Sequence, residues 1–172
     1  MKKIIIILLY VFPLSVFGQT TLLVPSQYMS IQSAIDVANN GDTIIVSPGT
    51  YYEDVSFSGK NIVLASEFIN NHDTLYISNT IIDGSNLSNK DIVSIVNGET
   101  NAVLIGLTIK NGNFAGQGRS GVCVSGSSYA VLDYLIIEDI FSDGQGPGIF
   151  INNQADVIIK NSIIRNNTSR TN

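Results

Sequence analysis

The chain has 172 residues, a formal charge of −5 at pH 7, 44% hydrophobic residues, 15 Gly, one Cys and no Trp. That length suits one domain. The acidic balance leaves no basic stripe, so no nucleic-acid partner is expected, and a single cysteine excludes an internal disulfide framework.

Met1-Lys2-Lys3 is a short basic start, and an apolar run interrupted by Pro13 follows from Ile4 to Phe17. A membrane-spanning helix needs about 20 apolar residues, so these flanks predict a secretory signal peptide over residues 1–18, with a mature chain from Gln19. A lipid anchor would need a Cys at the cut, and the only one is Cys123. Losing Lys2 and Lys3 takes the charge from −5 to −7. The expected location is extracellular or at the cell surface of a bacterium, without stable membrane insertion after cleavage. The oligomeric state is left open.

Residues 19–58 are expected to form an amino-terminal cap and first turn. TTLLVP reads as a strand, and Ile31, Ala34, Ile35 and Ala38 follow the spacing of one helix face. Ser30 is placed to cap the helix start and Gly41 to end the helix. This is the single predicted helix, and it is expected to cover the open edge of the first coil. Ile44 with Val46, Val55 with Phe57 and Ile62 with Leu64 then alternate as strands, with a turn at Pro48-Gly49.

Residues 59–172 repeat. Ile82, Ile109, Ile137 and Ile164 are separated by 27, 28 and 27 residues. Further columns fall into the same register: Val93, Val122 and Ile149; Ile95, Val124 and Ile151; Ala102, Ala130 and Val157; Leu104, Leu132 and Ile159. A fixed period of this size marks a solenoid. Each repeat carries three short alternating strands, so the predicted fold is all-β: a right-handed, single-stranded parallel β-helix, since parallel crossovers are overwhelmingly right-handed. Nothing after Arg165 reads as a capping helix, and the chain is expected to be the amino-terminal part of a longer protein.

The run SIQSAIDVANNGDTIIVSPGTYYEDVSFSGKNIVLAS resembles the opening turn of right-handed β-helix proteins of the pectin-lyase-like superfamily, pectinesterases among them. TIIDGS, GVCVSG, GIFINN and VIIKNSIIRNN are similar to its generic repeat, and the likeness runs from about Leu22 to Asn167. It implies a polysaccharide groove on the outer face of the sheet carrying Val122 and Ile149, and in the loops beside that face. One fold hosts many chemistries, so the resemblance specifies fold more than activity.

Several polar columns follow from the register. Asp83, Lys110, Glu138 and Arg165 alternate in sign at one outward position, and Asp133 lies beneath Lys160. Coils about 4.8 Å apart place each charge beside its opposite, which favours a register ladder over a catalytic pair. Asn111, Asp139 and Asn166 stand one residue further on, where left-handed backbone suits them. A calcium site there is the sharper alternative, although only one member of that column is ionised. His72, in a polar loop, is expected to be solvated.

Candidate binding residues lie in the loops GNFAGQGRSG and FSDGQGPG. Gln117 and Gln145 are 28 residues apart, and Cys123 and Phe150 are expected outward with Ser94. Phe150 is suited to stack on a sugar face, while Gln117, Arg119, Asp143 and Gln145 are suited to bind hydroxyls or carboxylates. The structural alternative has Phe150 packed under a loop and the two Gln forming an amide ladder. Cys123 has no neighbouring His or second Cys for nucleophilic or metal chemistry and reads as a free thiol or a buried small apolar residue.

Within the resemblance, Gln145 stands where a pectinesterase glutamine would help hold an oxyanion. The QDT-like step and the later Arg pattern of those enzymes are absent, as is the GHG step of polygalacturonases. Asp143 and Arg119 are the residue types of a pectate-lyase site without completing one. Two functions therefore stand: a non-catalytic module for polysaccharide binding or adhesion, or the start of a polysaccharide lyase or esterase. No cofactor is expected, calcium being compatible with the residues but unsupported by them.

Overall fold

The structure, a computed structural model, describes residues 18–88, 90–114 and 120–170. The expected signal peptide, except Gly18, lies outside them, as do Gln117 and Arg119.

The chain enters through β1 (Thr21–Val24) and helix α1 (Ile31–Val37), then coils through β2 (Thr43–Val46), β3 (Gly49–Tyr51) and β4 (Val55–Ser56). The second coil holds β5 (Val63–Ser66), helices α2 (Phe68–Asn71) and α3 (Leu75–Asn79), β6 (Thr80–Asp83) and β7 (Val93–Ile95). The third runs through β8 (Ala102–Ile105), β9 (Thr108–Lys110), β10 (Asn113–Phe114) and β11 (Val122–Val124). The fourth repeats this as β12 (Tyr129–Asp133), β13 (Ile136–Glu138), β14 (Phe141–Ser142) and β15 (Ile149–Ile151). A last coil carries β16 (Asp156–Lys160), β17 (Ile163–Arg165) and β18 (Thr168–Ser169).

Strands from successive coils stack in four sheets, in the orders β1-β2-β5-β8-β12-β16 (sheet A), β3-β6-β9-β13-β17 (sheet B), β4-β7-β11-β15 (sheet C) and β10-β14-β18 (sheet D). The pairings are parallel throughout. The fold is a parallel β-helix of about four turns.

The register agrees with the repeat. Ile82, Ile109, Ile137 and Ile164 pair in succession in sheet B, and the columns through Val122, Val124, Ala130 and Leu132 pair as expected in sheets C and A. Ile82, Ile109 and Ile137 are fully buried. The same interior positions are open at Ile151 of the fourth coil and at Ile159 and Ile164 of the last, which are 45%, 41% and 47% exposed.

Sheet D is a correction to the expected three strands per coil. Its strands are two residues long, too short for alternation to show. Phe114 turns inward there, above the buried Ser142.

Left-handed residues turn the corners. Asn111, Asp139 and Asn166 have φ of 61°, 56° and 56°. At the corner between sheets A and B, Gly106, Tyr134 and Asn161 have φ of 73°, 51° and 50°. Asn and Gly adopt this region readily, whereas Tyr does so at a cost.

The cap forms as the helix face predicts, with Ile31, Ala34, Ile35 and Ala38 all buried. Ser30 Oγ accepts from Ser33 N at 3.1 Å, and Glu53 accepts from the amides of Ile31 and Gln32, each at 2.9 Å. At the far end Lys60 Nζ donates to the carbonyls of Ile35 and Asp36. Gly41 does not end the helix: Ala38 does, in an extended conformation. The φ of 93° at Gly41 serves the turn into β2.

α2 and α3 were not predicted. They form an excursion packed on the outside, where Phe68 lies 4.7 Å from the Tyr134 ring and edge-on to His72 at 5.5 Å. Thr108 Oγ1 donates to Ile77 O at 2.7 Å, tying α3 to the coils. His72 is exposed, as expected, but it also ends α2 with a φ of 60°. Among the described residues no helix is long and apolar enough to cross a membrane.

Candidate functional site

The candidate residues lie where sheets D and C meet in the fourth coil. After β14, residues 143–148 turn back toward β15. Gly146 takes a φ of 64°, and a Cβ there would lie 2.5 Å from Ile149 O and 3.1 Å from Phe150 Cα, so the loop is folded down on the strand bearing Phe150. Ser169 Oγ donates to Gly144 O at 2.7 Å, bracing the loop from the next coil.

Asp143, Gln145 and Phe150 therefore share one region, with Gln145 exposed and the other two half-buried. Asp143 Oδ1 lies 3.7 Å from Arg170 Nε, and the guanidinium carbon of Arg170 sits 5.2 Å from the centroid of the Phe141 ring. A cation over an aromatic face is attracted by the ring quadrupole. Arg170 and Phe141 were missed by the sequence reading. The signal was present in the register, because β14 and β18 pair Phe141 with Thr168 and leave Arg170 just beyond. The expected neighbours Gln117 and Arg119 lie outside the described residues, so the two-glutamine stack is not described.

The outer face of sheet C carries the column Ser56, Ser94, Cys123 and Phe150. Cys123 is only 9% exposed, in keeping with its reading as a buried small residue, and Phe150 is half-buried. An outward direction on a strand does not imply contact with water when bulky neighbours stand beside a small side chain, as Phe150 stands beside Cys123.

The charge columns pair as the register requires. Arg165 Nη2 lies 2.7 Å from Glu138 Oε2, and Lys160 Nζ lies 3.1 Å from Asp133 Oδ2. Asp83, read as outward, is 4% exposed. Burial raises its pKa, but hydrogen bonds from Ser85 and Asn111 and the charge of Lys110 outweigh this and hold it below the ordinary value of 3.8. Asn111 Nδ2 donates to Asp83 Oδ2 at 2.7 Å, so this part of the column considered for calcium is engaged in bracing the coils. Among the described residues no group of three or more His, Cys, Asp or Glu is placed to hold a metal ion.

No family model matches the chain, and no curated protein matches it. Among solved structures it is similar to the pectin methylesterase from Aspergillus niger in a penultimately deglycosylated form, at 15% identity and a TM-score of 0.47. The match covers 90% of this chain and 61% of that one, so the chain spans less than two thirds of that enzyme's length.

Proposed function

We propose that this chain is an exported β-helix module that binds an extracellular polysaccharide without cleaving it. The observation that carries this reading is the cluster at the junction of sheets D and C. There Arg170 lies over Phe141 and beside Asp143, next to the loop bearing the exposed Gln145. Aromatic faces, a guanidinium and an amide are the groups that recognise sugar rings, uronate carboxylates and hydroxyls. The export reading rests on the basic start and apolar run of residues 1–18. A few exposed contacts supply only a few kcal/mol before ordering costs, so the expected affinity is nearer millimolar than nanomolar.

The test is titration of the protein with polygalacturonate and with a neutral glucan, comparing Arg170→Ala and Phe150→Ala with the parent. Binding that weakens in both variants supports the module. In parallel, unsaturated uronides are followed by ultraviolet absorbance and methyl-ester release from pectin is measured. Turnover in either assay, abolished by Asp143→Ala, would replace the binding reading with the enzymatic one.

A further inference from the structure

Both backbone groups of Thr20 are held by the first coil. Its N–H donates to Asp42 Oδ1 at 2.8 Å, and its carbonyl accepts from Thr43 N at 2.9 Å. Asp42 is buried and takes a second amide, Asn39 N, on Oδ2 at 2.8 Å. Gly18, two residues before Thr20, is exposed, and a Cβ there would meet nothing within 4 Å. Among the described residues, the hydrogen bond that reaches Gly18 is a long one, 3.4 Å, from Thr20 Oγ1 to Gly18 O. The peptide bond between Gly18 and Gln19 therefore lies in open chain, directly outside the first residue that the coil holds.

Gln19 stands at that boundary. It is exposed, and its side chain rests against the turn at Gly41, with Cγ 3.6 Å and Nε2 3.9 Å from the position a Cβ would take there. Among the described residues its side-chain amide has no hydrogen-bond partner. Nothing there fixes the side chain away from its own backbone nitrogen.

We propose that export cuts the chain after Gly18 and that the new terminal Gln19 closes into pyroglutamate. The inference rests on the export part of the reading above. The α-amino nitrogen, in its neutral form, attacks the side-chain carbonyl carbon Cδ. A bond forms between that nitrogen and Cδ, and the bond from Cδ to Nε2 breaks. Nε2 leaves as ammonia, carrying off one proton from the attacking nitrogen. No oxidant, metal or second substrate is consumed. An α-amino group titrates at about 7.7–8.0, so a neutral fraction is present at neutral pH.

The ring removes the terminal charge and the free amine that an aminopeptidase must engage. Trimming past Gln19 would reach the fold at once. Loss of Thr20 strips the donor to Asp42 Oδ1 and the acceptor of Thr43 N, leaving a buried carboxylate oxygen without its amide. β1 is the edge strand of sheet A and pairs with β2 from Thr21 and Thr43 onward, so the damage would open the first coil from its edge.

The experiment expresses the full chain in an exporting bacterial host and reads the amino-terminal peptide of the exported protein by tandem mass spectrometry. The expected peptide begins at Gln19 and is lighter by one ammonia. The exported protein should resist an aminopeptidase, and prior treatment with a pyroglutamyl peptidase should abolish that resistance. Gln19→Ala should be cut at the same bond, carry a free amine and lose the resistance. A protein that begins at Gln19 and keeps its free amine through prolonged incubation at neutral pH would overturn the cyclisation and leave export standing. A terminus at another residue would overturn the assigned cut. An uncut chain would overturn the proposal and the export reading together.

Discussion

Arg165 reaches back across one coil to Glu138, with both Nε and Nη2 lying 2.7 Å from the same oxygen, Oε2. This contact ends a column in which Asp83, Lys110, Glu138 and Arg165 pair strand by strand. Glu138→Lys would leave three cations in succession at this position. It should destabilise the protein by about 1 kcal/mol, a modest figure because Arg165 is largely solvated and exposed pairs are screened. Glu138→Gln should cost less than half as much. Thermal melting of the two variants at low salt checks the difference, and equal melting temperatures would remove the ladder's role.

Glu99 braces three turns from a fully buried position. Its carboxylate accepts from Gly59 N, Asn97 N and Ser128 Oγ, each at 2.8 Å. Truncation takes the acceptor from the buried Ser128 hydroxyl and from two part-buried backbone amides, so Glu99→Ala should cost about 2 kcal/mol. Urea unfolding would measure this, and a loss below about 1 kcal/mol would mean that water replaces the carboxylate without penalty.

The lowered pKa of Asp83 gives stability a defined pH dependence. A carboxyl whose folded value lies below its unfolded value of 3.8 contributes stability above the unfolded value and loses it as pH falls through the folded one. Asp83→Asn should therefore be destabilising at pH 7, and its difference from the parent should shrink as the solution is acidified through the carboxylate range. Melting temperatures from pH 7 down to about pH 2 would show the two curves converging. Curves that stay parallel would assign the effect of Asp83 to packing alone.

Gly106 joins the corner of the coil to the outer excursion. Its φ is 73°, and a Cβ would approach Phe68 Cβ and Ser66 Oγ at 2.8 Å each. Gly106→Ala should cost about 2 kcal/mol, combining left-handed strain with displacement of α2. Limited proteolysis between α2 and α3 should accelerate in the variant. An unchanged cleavage rate together with unchanged stability would show that α2 is not held by this contact.

The fold was legible because it is written locally and then repeated. Alternation within each strand assigns a face, and recurrence at 27 to 28 residues assigns the strand above it; Ile82, Ile109 and Ile137 needed nothing more. The same register anticipated the Glu138–Arg165 and Asp133–Lys160 pairs, and the left-handed corners at Asn111, Asp139 and Asn166.

Tertiary structure decided the rest. α2 and α3 are four and five residues long, below the length at which a helix sustains itself or shows periodicity. α2 is held by Phe68 against Tyr134, two coils away. Cys123 is covered although its strand position faces outward, and Asp143 meets Arg170 from the next coil. Each of these depends on what the neighbouring coil brings alongside. A repeat predicts such contacts only where its columns are regular, because burial and partner choice arise between coils rather than along a strand.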